Sequence, residues 1–339
     1  MIYLILIGAK KLNKKRNSLI IILLFVLLFL LIIFSLCVGK YDINIFQILT
    51  NNNTDNMTLN VIFGLRLPRI VAAIVVGASL AVAGASYQGL FKNPLISSDF
   101  LGVSSGAAIG AAISILLSLS SIYISVFSFI GGIVAVLVTS FIPILVKNRS
   151  NITLVLSGII VSSFMSSILG FIKFIADPNS ELASITYWTM GSFSYVSFEN
   201  IIPSLMIIIP SLIVLILISW WIDVMSMGEK QAKLLGTNVK LIKTIVIICS
   251  TLLASSSVSL VGTVGWVSLI IPHLTRLLFG YSNKIVIPVS ALIGSIFMLA
   301  VDTLTRIIGP IEMPVSIMTG IIGVPFFIWL LIKRKEKML

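Results

Sequence analysis

From Leu19 to Ile332 apolar residues run in about ten blocks, each close to the roughly 20 residues that a helix needs to cross about 30 Å of hydrocarbon. The blocks predict helical spans at residues 18–38, 67–89, 100–119, 121–146, 152–173, 200–222, 240–261, 263–280, 285–304 and 314–332. Polar residues collect between them, in an N-terminal tail, in an Asn-rich stretch over residues 41–60 and in short loops. The Asn-rich stretch (TNNNTDN) is a poor candidate for regular structure. Only Ser-rich residues separate the third span from the fourth, and a GTVG run, Gly262–Gly265, separates the seventh from the eighth. Turns so short pack neighbouring helices antiparallel.

Two polar segments carry a pattern of their own. Residues 181–192 (ELASITYWTMGS) read as a short amphipathic helix at the outer membrane interface, where Tyr187 and Trp188 suit the headgroup layer. Residues 228–240 (GEKQAKLLGTNVK) read as helix-forming through Leu235, with Gly236 as a C-terminal cap. Spans two and three are dense in small residues, among them Gly77, Gly84, Gly102, Gly106 and Gly110, which let helix backbones approach closely. Spans two to five and seven to ten are compatible with an inverted repeat.

Composition agrees with an all-α, polytopic membrane protein: 58% of residues are hydrophobic and 10% charged, against about 25% charged in soluble domains. The net charge of +12 does not indicate nucleic acid, because its distribution follows the positive-inside rule. Lys10, Lys11, Lys14, Lys15 and Arg16 precede the first span; Lys333, Arg334, Lys335 and Lys337 follow the last. Both termini are therefore expected in the cytoplasm, with Lys147, Arg149, Lys230, Lys233, Lys240 and Lys243 on the same side and residues 177–199 outside. The organisation expected is a basic tail at 1–17, a permease domain at 18–333 and a tail at 334–339. The apolar run from Leu19 lacks a small-residue cleavage site and reads as a first span, not a signal peptide. Cys37 and Cys249, both in apolar blocks, do not indicate a disulfide framework.

Candidate chemistry is sparse. There is no GxxxxGK[ST] motif, so an ATP engine would be another chain. No nucleophile–base constellation points to an enzyme. His273 is the single histidine and has no ligand-type neighbours in sequence, so neither a metal site nor a cofactor is expected. Arg66 and Arg69, in LRLPR, and Arg306, in DTLTR, fall at the outer face, against the topogenic bias. Either they snorkel or pair with nearby acids such as Glu312, or they form a basic docking surface for an acidic extracellular partner. Asp302 stands four residues before Arg306, on the same helix face, and is expected to pair with it. So few ionisable groups argue against proton coupling; the alternative from another class is an ion- or proton-coupled secondary transporter acting without an ATPase.

Four stretches in order resemble permease subunits of the FecCD-type (type II) ABC importers for iron siderophores, haem and cobalamin. They are LRLPRIVAAIVVGASLAVAGASYQGLFKNPLISSDFLGVSSGAAIGA, QAKLLGTNVK, GTVGWVSLIIPHLTRLL and MPVSIMTGIIGVPFFIWLL. The resemblance implies ten helices in the plasma membrane of a bacterium and a second permease subunit, as a homo- or heterodimer. It also implies two cytoplasmic ABC ATPases and an extracytoplasmic substrate-binding protein, beside the surrounding membrane lipid. Arg66, Arg69 and Arg306 would receive acidic residues of the binding protein. Residues Glu229–Asn238 would form the helix that couples to the ATPase, with Glu229 at its start, Ala232, Leu235 and Gly236 in the ATPase groove, and Lys230 and Lys233 at the rim. The translocation path would involve Ser162, Ser163 and Ser166 with Thr319 and Gly323.

Overall fold

The computed structural model describes the backbone of residues 2–39, 56–148, 150–308 and 312–336, which is helical throughout apart from short connections. The side chains of Lys10, Lys11, Lys14 and Lys333–Lys335, together with Arg149, Lys337 and most of the Asn-rich stretch, lie outside the described part.

The helices in chain order are α1 (Ile2–Cys37), α2 (Leu67–Phe91), α3 (Val103–Leu116), α4 (Ser121–Leu145), α5 (Asn151–Ile175), α6 (Glu181–Met190), α7 (Phe198–Leu217), α8 (Ser219–Ser226), α9 (Glu229–Leu234), α10 (Val239–Val261), α11 (Val267–Phe279), α12 (Asn283–Ile307) and α13 (Val315–Glu336). Among the described residues seven helices are long and apolar enough to span a membrane, and α3, α11 and the apolar part of α13 are shorter apolar helices. Together they account for the ten blocks. The end of the Asn-rich stretch departs from expectation: Asn56–Asn60 is helical and leads through a π-helical turn, Val61–Arg66, into α2. The basic tail likewise continues the first span as one helix of 36 residues, as Lys- and Leu-rich sequence favours.

The third and eighth spans are shorter than the apolar pattern predicts. At 1.5 Å per residue, 14 and 13 residues cover about 21 and 20 Å. The missing depth is supplied by irregular backbone inside the protein, which is where membrane proteins tolerate it. Residues 92–102 bury Ile96, Ser98 and Leu101; the Leu101 carbonyl accepts from Thr139 Oγ1 of α4 at 2.9 Å, and the Ser98 N–H donates to Ser268 Oγ of α11 at 3.0 Å. On the far side, the turn after α10 is covered by the end of α6: the Ser192 N–H donates to the Val261 carbonyl at 2.8 Å, and the Val315 N–H to that of Gly191 at 3.0 Å. The α6 helix itself buries Ile185 while Tyr187 stays exposed, the two-faced placement expected of it.

At the centre α2 packs against α10, α11 and α12, and its residues are almost wholly buried. Glycine sets the closest approach. A Cβ on Gly77 would collide with the Gly294 carbonyl of α12 and lie 2.6 Å from Met298 Cβ, and one on Gly294 would collide with the Gly77 carbonyl in turn. The two sets α2–α5 and α10–α13 share the same order of long, short, long and long helices, and their contacts correspond. The α2–α12 packing is matched by α10–α4, α2–α11 by α10–α3, and α3–α4 by α11–α12, the arrangement of an inverted repeat. Between the sets, Asp223 of α8 caps α12, accepting from the N–H groups of Asn283 (2.6 Å) and Lys284 (3.3 Å) and from Ser282 Oγ (2.8 Å).

Candidate functional site: two ends of the bundle

The π-helical turn before α2, the first turn of α2 and the last of α12 bring Arg66, Arg69 and Arg306 together, all of them buried. Arg69 Nε donates to Asp302 Oδ1 at 2.6 Å, and its Nη1 reaches both oxygens of Glu312 at 2.8 and 3.0 Å. Arg306 Nε lies 3.4 Å from Asp302 Oδ2, the expected i, i+4 pair. Arg66 and Arg306 also turn donors to the end of α1. Arg66 donates to the Leu36 and Cys37 carbonyls, and Arg306 to the Ser35 hydroxyl and to the carbonyls of Ser35 and Val38. A helix C-terminus leaves its last carbonyls unpaired and carries partial negative charge, so a guanidinium suits it. The three arginines line an open cleft of about 300 Å³ with Gly39, Val61, Leu65, Phe193, Ser194, Val196 and Glu312.

Glu312 stands at the rim, its side chain about a third exposed. Partial burial pushes its carboxyl up, but the Ser194 hydroxyl and the Arg69 guanidinium outweigh that and hold it below the usual range. Pairing with Glu312, one of the two readings of these arginines, thus accounts for Arg69; α1 accounts for much of the other two.

At the opposite end of α2, whose 25 residues rise about 37 Å, lies α9. It ends in a left-handed Gly236 (φ +77°). The Thr237 N–H donates to the Ala232 carbonyl and the Gly236 N–H to that of Lys233, both at 3.0 Å, which is the Schellman closure. Asn238 then caps α10 through the Leu241 N–H at 3.1 Å. Glu229, Lys230, Lys233, Leu235 and Gly236 are exposed. Ala232 is not: it is fully buried in the core of its own chain, which corrects its assignment to a partner's groove. The outward apolar residue is instead Leu234, 88% exposed, beside Leu235. A helix of six residues has too short a period for sequence to tell which side faces in.

The residues expected along a path separate. Ser163 and Ser166 lie on an exposed face of α5, and Ser162 is half-buried against Gly102. Thr319 is fully buried and donates to the Ser316 carbonyl at 3.1 Å; a side chain on Gly323 would meet Ile270 of α11 and Trp266 just before that helix. Those two sit inside the protomer rather than on an open face. His273 is half-buried on α11, and among the described residues no cluster of metal-ligating side chains occurs.

Residues 27–333 match the FecCD transport family. The chain belongs to that family. FecCD relatives include the molybdate import system permease protein MolB of Haemophilus influenzae, 36% identical over 90% of this chain and 92% of that one. A probable iron chelatin transport system permease protein of Helicobacter pylori is also 36% identical, over 85% of this chain and 86% of that one. In structure the chain is similar to an inward-facing metal-chelate type ABC transporter, with a TM-score of 0.84 and 32% identity over 93% of this chain and 99% of that one. The protein is thus a multi-span membrane permease of an ABC importer with the type II fold.

Proposed function

We propose that this permease carries an iron chelate, most simply a ferric siderophore, into a bacterial cytoplasm, with haem and cobalamin as neighbouring cargo classes. In this reading two cytoplasmic ABC ATPases drive it, an extracytoplasmic binding protein delivers the cargo, and a second permease subunit completes the pathway. Both termini and α9 face the cytoplasm. The observation that carries the reading is the pairing of two unlike ends on one buried helix pair. One end has a cleft with three converging arginines; the other has a short capped helix with an apolar, exposed tip. Arginine suits carboxylates presented by a partner, since its planar fork binds them bidentately. An exposed leucine pair flanked by lysines suits a groove on a motor subunit.

Docking at the arginine cleft would exchange internal partners for external ones. Glu312 at the rim is the partner most readily displaced, while Asp302, fully buried between Arg69 and Arg306, keeps the cluster assembled. A carboxylate held by two guanidiniums is a poor proton relay, which weighs against a proton-coupled carrier. Ser163 and Ser166 remain the candidates for the path.

Uptake of radiolabelled ferric siderophore, haemin, cobalamin and molybdate, each into cells with and without this chain, tests the cargo. Loss of iron-chelate uptake alone is expected; loss of molybdate uptake instead would replace the iron reading. Changing Leu234 to Glu should strip the ATPase from the tagged, purified chain; retention would remove α9 as the contact.

A further inference from the structure

Lys243 looks from sequence like one more basic residue on the inner side. In the structure its ammonium joins four helices. It stands near the start of α10, and its Nζ donates to Oδ1 of Asn151, the first residue of α5, at 2.6 Å. The same Nζ is 3.7 Å from Oε1 of Glu229, the first residue of α9, and 5.9 Å from the ring centre of Phe91, the last residue of α2. An ammonium has three donors and a compact charge, so it can hold a carboxylate, an amide oxygen and a ring face at once.

Its position is not explained by the stability of α5. A cation beside a helix N-terminus opposes the helix dipole, and the N-terminal turn of α5 already has its cap in Ser150, whose hydroxyl accepts from the Thr153 N–H at 3.1 Å. What the placement does provide is a polar link from α9 to α5. The α9 helix is otherwise fixed by Ala232 in the core and by its two ends, while its tip is free to be gripped.

We propose that Lys243 is a positioning residue that transmits displacement of α9 to the N-terminal end of α5. The inference rests on the reading of α9 as the element that meets the ATPase. A push on Leu234 and Leu235 moves Glu229 with the rest of that short helix. Glu229 draws on the Lys243 ammonium, and the ammonium carries Asn151 and the end of α5 with it. The helix so moved is the one that bears Ser163 and Ser166 on its exposed face.

The test uses the complex of this chain with its co-purifying ATPase, in nanodiscs, with spin labels on Ile152→Cys and Lys284→Cys in a Cys37→Ser background. Both labelled positions are exposed, at the starts of α5 and α12. The distance between the labels is measured by pulsed electron resonance with and without ATP and vanadate. The unmodified link should give a nucleotide-dependent change in distance. Lys243→Met should shrink that change several-fold while ATP hydrolysis and subunit association persist. Asn151→Ala, which cuts the link at α5 alone, should do the same, and it decides the matter if Lys243→Met does not assemble. A change of undiminished size in Asn151→Ala would overturn the proposal. No nucleotide response even with Lys243 and Asn151 intact would remove the coupling reading beneath it, and the proposal with it.

Discussion

Replacing Asp302 with Asn changes one charge and almost no volume at the point where the arginine cluster is tied together. The carboxylate is fully buried and stands 2.6 Å from Arg69 and 3.4 Å from Arg306. At an effective dielectric near 20, unit charges at those separations attract by about 6 and about 5 kcal/mol. The cost of holding the carboxylate out of water absorbs much of this. Truncating one partner of a buried ion pair nonetheless costs about 3–5 kcal/mol, because the remaining charges stay buried. In Asp302→Asn two guanidiniums would face each other across a neutral amide. Cys249, a buried free thiol on α10, gives the assay: a thiol-reactive dye reports unfolding of the detergent-solubilised protein with Cys37 replaced by Ser. The midpoint should fall clearly for Asp302→Asn and hardly at all for Glu312→Gln, whose partly exposed pair is worth about 1 kcal/mol or less. Adding Arg69→Met to Asp302→Asn should recover part of the loss by removing one orphaned charge. An unchanged midpoint in Asp302→Asn, or a further fall on adding Arg69→Met, would refute the reasoning.

A branched side chain at the α2–α12 crossing should do more harm than ordinary overpacking. Gly77→Val drives its Cβ into the Gly294 carbonyl, which is backbone and cannot step aside, so the same dye assay should show a loss above about 3 kcal/mol. Gly236 is the opposite case: nothing lies within 4 Å of a Cβ there, and only its φ of +77° is at stake. Gly236→Val should cost about 1–2 kcal/mol of local helix closure and reduce ATPase co-purification without moving the global midpoint, while Gly236→Asn should be tolerated. Glu312 predicts a pH dependence. Its folded carboxyl lies below the ordinary value of 4.5, so its stabilising contribution is complete above pH 4.5 and is lost as pH falls through the folded value. The small stability difference between the native chain and Glu312→Gln should therefore vanish on acidification, and a difference that grows as pH falls would contradict it.

Helix count and order were legible because hydrocarbon thickness imposes a length that composition alone can meet. That criterion cannot separate an apolar helix from an apolar buried loop, so the spans at 100–119 and 263–280 absorbed backbone that is irregular. Arg66, Arg69 and Arg306 were visible as cations that break the charge pattern expected from the positive-inside rule, and Asp302 with Arg306 as a four-residue spacing. The hold of α1 on Arg66 and Arg306 was not visible, because it runs through backbone carbonyls, which leave no mark in a sequence, and through Ser35, far from both in the chain. Gly236 announced its turn. The inward face of Ala232 did not, in a helix under two turns long. Lys243 and Asn151 are 92 residues apart, and nothing local to either marks the contact.

In the proposed function this chain is a gate worked by a separate motor. Reconstituting it in liposomes, alone and with its co-purifying ATPase and binding protein, and following entry of radiolabelled ferric siderophore measures that directly. Uptake is expected only from the full assembly, dependent on ATP and stopped by vanadate. Uptake by the chain alone, driven by an ion gradient, would contradict it.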